Sequence, residues 1–260
     1  MPTEDLRLAL VQVPLHWEDA EANRNHLGEW LESIAPVDLI LLPEMFTTGF
    51  SMNASTLAEP LEGPTLAWLK DWAQQLQAVL CGSVIIEEEG HYYNRLIWMP
   101  PDGAYSYYDK KHLFSLAGEE KVYSPGQASL LVEYKGWRIN PLICFDLRFP
   151  VWCRNTQAYD LQFFVANWPK KRRHAWKTLL PARAVENVAY VAGLNRVGPD
   201  GNEVAHAGDS AVYNPLGKLM DGATPEKEMI FTSTLSAEEL RKTREKFAFL
   251  DERDSFSLTT

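Results

Sequence analysis

Short apolar runs recur along the chain, separated by stretches whose apolar positions repeat every three to four residues. Leu6 to Val13 alternates and then runs apolar, which predicts a strand. Within Glu18 to Ile34, the residues Leu27, Trp30, Leu31 and Ile34 fall at i, i+3, i+4 and i+7, one face of a helix. Asp38 to Leu42 predicts a short buried strand. Pro43 cannot donate to a ladder, so the strand stops there and Glu44 lies at its exit. Thr47 to Pro60 reads as loop. Pro64 to Gln77 predicts a second helix, with Pro64 in its first turn and Leu66, Leu69, Ala73 and Leu76 on one face.

Ala78 to Ile86, His91 to Met99 and Tyr105 to Asp109 predict three more strands, the last two joined at Pro101-Asp102-Gly103. Lys110 to Gly126 is a long irregular stretch, and loops of that length in compact domains are usually functional. Ala128 to Glu133 and Trp137 to Ile143 pair across Tyr134-Lys135-Gly136. The run Trp137 to Trp152 then reads as strand, sharp turn and helix, with Cys144 at the turn and Pro150 in the first turn of the helix. Beyond it come a strand at Leu161 to Ala166 and a helix at Arg173 to Asn187, with a kink or restart expected at Pro181. A strand at Val188 to Leu194 follows, then a hairpin of Asp209 to Asn214 with Lys218 to Met220, and a strand at Met229 to Thr232. Ser236 to Lys246 predicts a last helix with a capping box of Ser236 and Glu239. The tail, Phe247 to Thr260, has no clear period. Strands alternating with helices predict an α/β fold with helices packed outside sheets. No repeat or linker divides the chain, so residues 1–260 read as one domain with a tail at about 247–260.

Composition narrows the function class. A chain of 260 residues with 46% hydrophobic content and nine Trp can bury a sizeable core. A net charge of −10 argues against nucleic acid or an anionic membrane as the main partner. Three widely spaced cysteines, Cys81, Cys144 and Cys153, suggest neither a disulfide framework nor a metal site. No apolar run approaches the ~20 residues of a membrane span. The first residues lack a basic segment followed by a long apolar one. The expectation is a cytoplasmic protein.

Four residues carry candidate chemistry. Glu44, Lys110 and Cys144 each leave a strand end, and Glu119 lies in the long loop after Lys110. Ligands in open α/β sheets sit beyond the carboxyl ends of strands, so these side chains could converge. A carboxylate can take the proton of a thiol. A charged lysine, helped by the backbone N–H of Phe145, can hold the oxyanion of a tetrahedral intermediate. A second carboxylate can orient the lysine. A helix beginning just after Cys144 would favour a thiolate. Such a set performs acyl transfer through a thioester. Taken singly, each residue has a plainer reading: a buried core cysteine at 144, and solvated loop charges at 44, 110 and 119.

Five segments in order make the plainer readings untenable together. They are Leu-Leu-Pro-Glu-Met-Phe (41–46), Asp-Lys-Lys-His-Leu-Phe (109–114), Ile-Cys-Phe-Asp-Leu-Arg-Phe-Pro (143–150), Ala-Arg-Ala-Val-Glu-Asn (182–187) and Gly-Asp-Ser-Ala-Val-Tyr-Asn-Pro-Leu-Gly (208–217). With them the sequence resembles the nitrilase superfamily of carbon–nitrogen hydrolases, whose site is Glu-Lys-Cys. The resemblance implies a four-layer α-β-β-α sandwich, no metal or organic cofactor, and a homodimer or higher oligomer. It implies catalytic roles for Glu44, Lys110 and Cys144. Matching Ser-Pro-Gly at 124–126 puts the second glutamate on Glu119, with Glu120 as rival.

Asp-Leu-Arg-Phe-Pro-Val-Trp (146–152), Ala-Asn-Trp-Pro (166–169) and Leu-Asn-Arg-Val-Gly (194–198) look like those of bacterial omega-amidases. Those enzymes hydrolyse 2-oxoglutaramate and 2-oxosuccinamate to the 2-oxo acid and ammonia. That implies a small amide and water as partners, with Phe145, Arg148, Asn167 and Trp168 as substrate-binding candidates. A nitrile, an N-carbamoyl compound, a neutral amide or a silent binding role are the alternatives. Asp109 departs from the family's usual Arg and would add a negative charge at the pocket rim. Phe145 departs from the usual Tyr. The run Lys170 to Arg173, with Arg148, is the candidate for holding a substrate carboxylate in an acidic chain.

Overall fold

The computed structural model describes residues 1–257. Five early strands build the first sheet: β1 (Leu6–Gln12), β2 (Leu39–Leu41), β3 (Val79–Glu88), β4 (His91–Met99) and β5 (Ser106–Asp109). The second sheet takes β6 (Val132–Tyr134), β7 (Trp137–Ile143), β8 (Leu161–Ala166) and β9 (Tyr190–Asn195). A two-stranded ribbon follows, β10 (Val197–Pro199) with β11 (Ala205–Ala207). Then β12 (Ala211–Tyr213) and β13 (Leu219–Gly222) complete the second sheet, and β14 (Met229–Leu235) returns antiparallel to β1. The orders are β14-β1-β2-β3-β4-β5 and β13-β12-β9-β8-β7-β6, six strands each. In both sheets the central strands are parallel: β1, β2 and β3 in one, β7, β8 and β9 in the other.

The period of two explains the layering. Leu8 and Leu10 of β1, Leu39 and Leu41 of β2, and Leu96 and Trp98 of β4 share one core with Ile139 and Phe163 of the second sheet. Their neighbours Ala9, Val11, Ile40 and Ile97 face the other way, onto the helices α1 (Ala20–Glu32) and α3 (Pro64–Leu76). The helix α2 (Ala54–Leu57) is a single turn within the stretch read as loop. On the far side, α4 (Arg173–Asn187) covers the second sheet with Trp176, Leu180 and Ala184, and α5 (Ala237–Lys246) adds Leu240. The result is the α-β-β-α sandwich.

Several local expectations change. Pro181 does not break its helix, which runs unbroken from Arg173 to Asn187. The carbonyl it orphans is that of Lys177, which is exposed and can turn to water. No helix starts at Pro150. The turn after β7 is a 3-10 helix, Cys144–Arg148, and Pro150 lies beyond it. Ser236 caps α5 through the Glu239 N–H, but the Glu239 carboxylate turns to Asn214 and Tyr190, so the capping box is half made. Ala128 to Leu131 stays outside β6, and the β10–β11 ribbon carries no long apolar run that would have revealed it. In the tail, Phe249–Glu252 forms one 3-10 turn, and residues 258–260 of the expected tail lie outside the described residues.

Candidate active site

Each of the three strand exits is fixed by its own chain. After β2, Pro43 ends the ladder and Met45 takes a left-handed φ of 43°. The turn is stitched to β3 by Leu42 N–H on the Cys81 carbonyl (2.7 Å), Met45 N–H on Ser83 Oγ (2.8 Å) and Phe46 N–H on the Ser83 carbonyl (3.0 Å). Gly82 permits this approach, since a Cβ there would lie 2.8 Å from both Leu42 Cβ and Phe46 Cδ1. Lys110 follows β5 directly, and its N–H bonds the Asn94 carbonyl at 3.0 Å. The loop from Lys110 returns at Gly126, where a Cβ would sit 2.1 Å from the Asp109 carbonyl oxygen, so Ser-Pro-Gly ends in the one residue that fits.

Cys144 leaves β7 with φ at 42°, a conformation that costs a non-glycine residue about 1–2 kcal/mol. Asp146 holds it there. Its carboxylate accepts from Ile143 N–H (3.1 Å), Tyr108 Oη (2.8 Å), His112 N–H (3.0 Å) and His112 Nδ1 (2.8 Å). His112 also stacks on Phe149 with centroids 3.6 Å apart. It packs within its loop, as a structural partner of the Cys144 turn.

The exits converge. Lys110 Nζ lies 2.8 Å from Glu44 Oε1 and 3.0 and 2.9 Å from the two oxygens of Glu119. All three side chains are buried. Asn94 Nδ2 donates to Glu44 (2.9 Å) and Glu119 (3.2 Å), tying the two carboxylates together. Asn167 N–H donates to Glu44 Oε2 at 2.8 Å, and Asn167 Nδ2 to the Glu44 carbonyl at 2.6 Å. Glu119 Oε2 also accepts the Phe114 N–H at 2.6 Å. Glu120 is exposed and outside this cluster.

The charges follow from the geometry. Burial works to lower the Lys110 pKa, but Glu119 and Glu44 outweigh it and hold the ammonium above its usual range. Burial raises Glu119 above the ordinary carboxylate range, with Lys110 opposing. Burial also pushes the Cys144 thiol well up, and Glu44 adds to this while Lys110 opposes. The expected thiolate-favouring helix is a five-residue 3-10 turn and does not reverse the shift. Cys144 therefore rests as a thiol, and its nucleophile must be made by proton transfer.

A cavity of about 740 Å³ is lined by Glu44, Lys110 and Cys144 together with Phe145, Arg148, Asn167 and Trp168. Phe145 lies in the first turn of the 3-10 helix, where backbone N–H groups have no intrahelical acceptor. Trp168 is fixed by Asn195, which accepts its N–H (2.7 Å) and donates to its carbonyl (3.0 Å).

The basic run divides. Lys170 pairs with Glu226 (2.8 Å) and Arg173 with Asp209 (2.6 Å), whereas Lys171 and Arg172 line the cavity. Arg172 stacks over Phe114 at 4.7 Å and Arg148 over Trp168 at 5.2 Å. Arg148, Lys171 and Arg172 have no carboxylate partner among the described residues. Asp109 does not face the rim. It is bound by Arg95 at 2.6 Å, a guanidinium it shares with Glu88 at 2.9 Å. Asp146 and Asn195 lie inside quoted segments, 143–150 and 194–198, but nothing in those segments tells their roles, whereas Asn94 and the cavity residue His206 are single polar positions with no motif around them. Among the described residues no cluster of His, Cys, Asp or Glu could hold a metal ion, and no helix is long and apolar enough to cross a membrane.

The carbon-nitrogen hydrolase family model matches residues 7–245. The omega-amidase YafV of Yersinia enterocolitica is 47% identical over 253 residues, 97% of this chain and 98% of that one. The 2-oxoglutaramate amidase of Bacillus subtilis (strain 168) is 34% identical, over 83% of this chain and 84% of its own. Among solved structures, XC1258 from Xanthomonas campestris, a CN-hydrolase superfamily protein with an arsenic adduct in the active site, superposes with a TM-score of 0.97. It is 48% identical and covers 99% of this chain and all of its own.

Proposed function

The chain belongs to the carbon–nitrogen hydrolase family, and from that premise we propose that it is a cysteine-dependent omega-amidase releasing ammonia from the terminal amide of a small 2-oxo acid. The observation that carries the reading is the pairing of two features in one cavity. A buried Glu44–Lys110–Glu119 cluster stands with Cys144, and cations without carboxylate partners, Arg148, Lys171 and Arg172, line the same space.

In the mechanism, Glu44 takes the thiol proton as Cys144 Sγ attacks the amide carbon. Lys110 Nζ and the Phe145 N–H stabilise the oxyanion. Glu44 returns the proton to the nitrogen, the C–N bond breaks, ammonia leaves and a thioester remains. Water then attacks the thioester carbon, giving its proton to Glu44. The C–S bond breaks, the acid departs and Cys144 regains its proton. Glu119 holds Lys110, and Asn167 aims Glu44 through its backbone N–H. Arg148 and Arg172, each spread over an aromatic face, hold the distal carboxylate.

The reading includes a homodimer and a cytoplasmic location. Val185 on α4 and Leu216 on the turn beside it are more than half exposed and give an apolar patch for a second copy. The three cysteines are free, which fits a reducing compartment. Light scattering checks the dimer.

Ammonia release tests the function. Turnover of 2-oxoglutaramate and 2-oxosuccinamate is expected to exceed that of glutamine, asparagine, a neutral amide of equal length, a nitrile and an N-carbamoyl compound. Arg172→Gln is expected to raise KM for the anionic amide and leave the neutral amide unchanged, with the difference shrinking in salt. Preference for a neutral substrate would overturn the substrate assignment.

A further inference from the structure

His206 stands in β11 opposite Gly198, and it also bridges Pro169, two residues past the Asn167 that binds Glu44. It is 4% exposed and lines the same cavity as Cys144. Its Nδ1 lies 3.2 Å from the Gly198 carbonyl oxygen. A carbonyl only accepts, so Nδ1 carries the ring proton. Burial and then the neighbouring Arg196 push its pKa down to about 4, against a weaker pull from Asp200. Arg196 is itself fully buried and bonded to the carbonyls of Leu15, Val197 and Pro199, so that charge is fixed in place. His206 is therefore a neutral imidazole. Its Nε2 takes no hydrogen bond from any described residue and is not sealed off, so this lone pair opens onto the cavity.

A carboxamide presents one accepting oxygen and two donating N–H bonds. On the oxygen side the cavity supplies Lys110 Nζ and the Phe145 N–H. On the nitrogen side it must supply acceptors. Glu44 is one. Glu18 also lines the cavity, but its carboxylate accepts from Ser51 Oγ (2.5 Å) and Asn53 Nδ2 (3.4 Å). Asp200 Oδ1 accepts the N–H groups of Asn202 (2.8 Å) and Val204 (2.9 Å). Asp200 Oδ2 and Asn167 Oδ1 also lack a donor among the described residues, the latter sealed from the cavity space, and Nε2 of His206 is the neutral acceptor that is not sealed off. A 2-oxo acid ionised at its carboxyl group has no N–H or O–H donor apart from its amide.

We infer that His206 is a substrate-contacting specificity residue, whose Nε2 accepts a hydrogen bond from the amide nitrogen and favours a carboxamide over the carboxylic acid product. This rests on the amidase reading above. The neutral tautomer matters because a protonated ring would present a second N–H to an N–H. The product carboxylate has no hydrogen to offer Nε2, so the same group favours product departure.

Two variants separate contact from scaffold. In His206→Asn the side-chain amide can still donate to Gly198 but presents nothing at the Nε2 position. In His206→Gln the side-chain oxygen can reach that position. The expected result is a roughly 5- to 100-fold fall in kcat/KM for the amide in His206→Asn, the range for leaving a buried polar group unpaired. Inhibition by the 2-oxo diacid product should stay unchanged, and His206→Gln should recover most of the loss. Parallel losses in turnover and product binding, unaffected turnover, or a Gln variant no better than the Asn variant would overturn the inference. If the wild type prefers another carboxamide, the same comparison is made with that amide and its acid. Failure of the substrate assignment and failure of the His206 role are then separate results.

Discussion

Replacing Lys110 with Met removes the only cation among the described residues that is bonded to two buried carboxylates. Lys110 makes three charge-assisted contacts of 2.8 to 3.0 Å with Glu44 and Glu119, and none of the three residues is exposed. Methionine fills similar space and offers no donor. Breaking a buried ion pair by removing one partner costs about 3–5 kcal/mol, because the remaining charge is left uncompensated. For a chain of this size each kcal/mol shifts Tm by roughly 2–4 °C, so the expected loss is roughly 6–20 °C. The loss has a pH signature. Glu119 already sits above the ordinary carboxylate range because of burial, and Lys110 is the main force opposing that rise. Without Lys110 its folded pKa climbs further above the unfolded value. A group raised in this way contributes stability below its unfolded pKa of ~4.3, and that contribution is lost as pH climbs through the folded value. The deficit of Lys110→Met is therefore smaller at acid pH and full at neutral pH. Adding Glu119→Gln removes one of the stranded charges and is expected to restore much of the Tm but none of the turnover. Differential scanning fluorimetry across pH 5 to 8 reads the Tm, and ammonia release reads the turnover. A Lys110→Met protein as stable as wild type at every pH would refute the argument, as would a double variant less stable than the single one.

Glu44→Gln keeps the Asn167 contact and loses the proposed base, and is expected to lower kcat by ~10²–10⁴-fold in a steady-state ammonia assay. Glu119→Gln should slow turnover far more than Glu120→Ala, since only Glu119 touches Lys110, and the reverse order would show that the second glutamate had been wrongly placed. Iodoacetamide should label Cys144 before Cys81 and Cys153, which are wholly buried, and faster as pH rises, because burial and Glu44 keep the thiol protonated at neutral pH. Peptide mapping by mass spectrometry distinguishes the three sites.

The strands were legible because burial on both faces leaves unbroken apolar runs such as Leu39–Leu41 and residues 163–166 of β8. The strand exits were legible because proline and a change of polarity mark them, and so Glu44, Lys110 and Cys144 could be singled out before any contact was known. What joins the exits was hidden. Asn94 is one polar position inside β4, and nothing local says that it bridges two carboxylates fifty and twenty-five residues away. The fate of the basic run was hidden for the same reason. Four adjacent cations look alike until Glu226 and Asp209 claim Lys170 and Arg173 and leave the middle two on the cavity. The turn at Cys144 was read as leading into a helix. Asp146 collects four hydrogen bonds at one tight 3-10 turn, and burial with Glu44 keeps a thiol where a thiolate had been expected.

The central claim is that Cys144 carries the acyl group. Acid-quenched intact-mass measurement during turnover of 2-oxoglutaramate tests it directly. The account predicts an adduct equal to the substrate less ammonia, mapped to the peptide containing Cys144, sensitive to hydroxylamine and absent from Cys144→Ala. Ammonia release by a folded Cys144→Ala protein, or an adduct on Cys81 or Cys153, would contradict it.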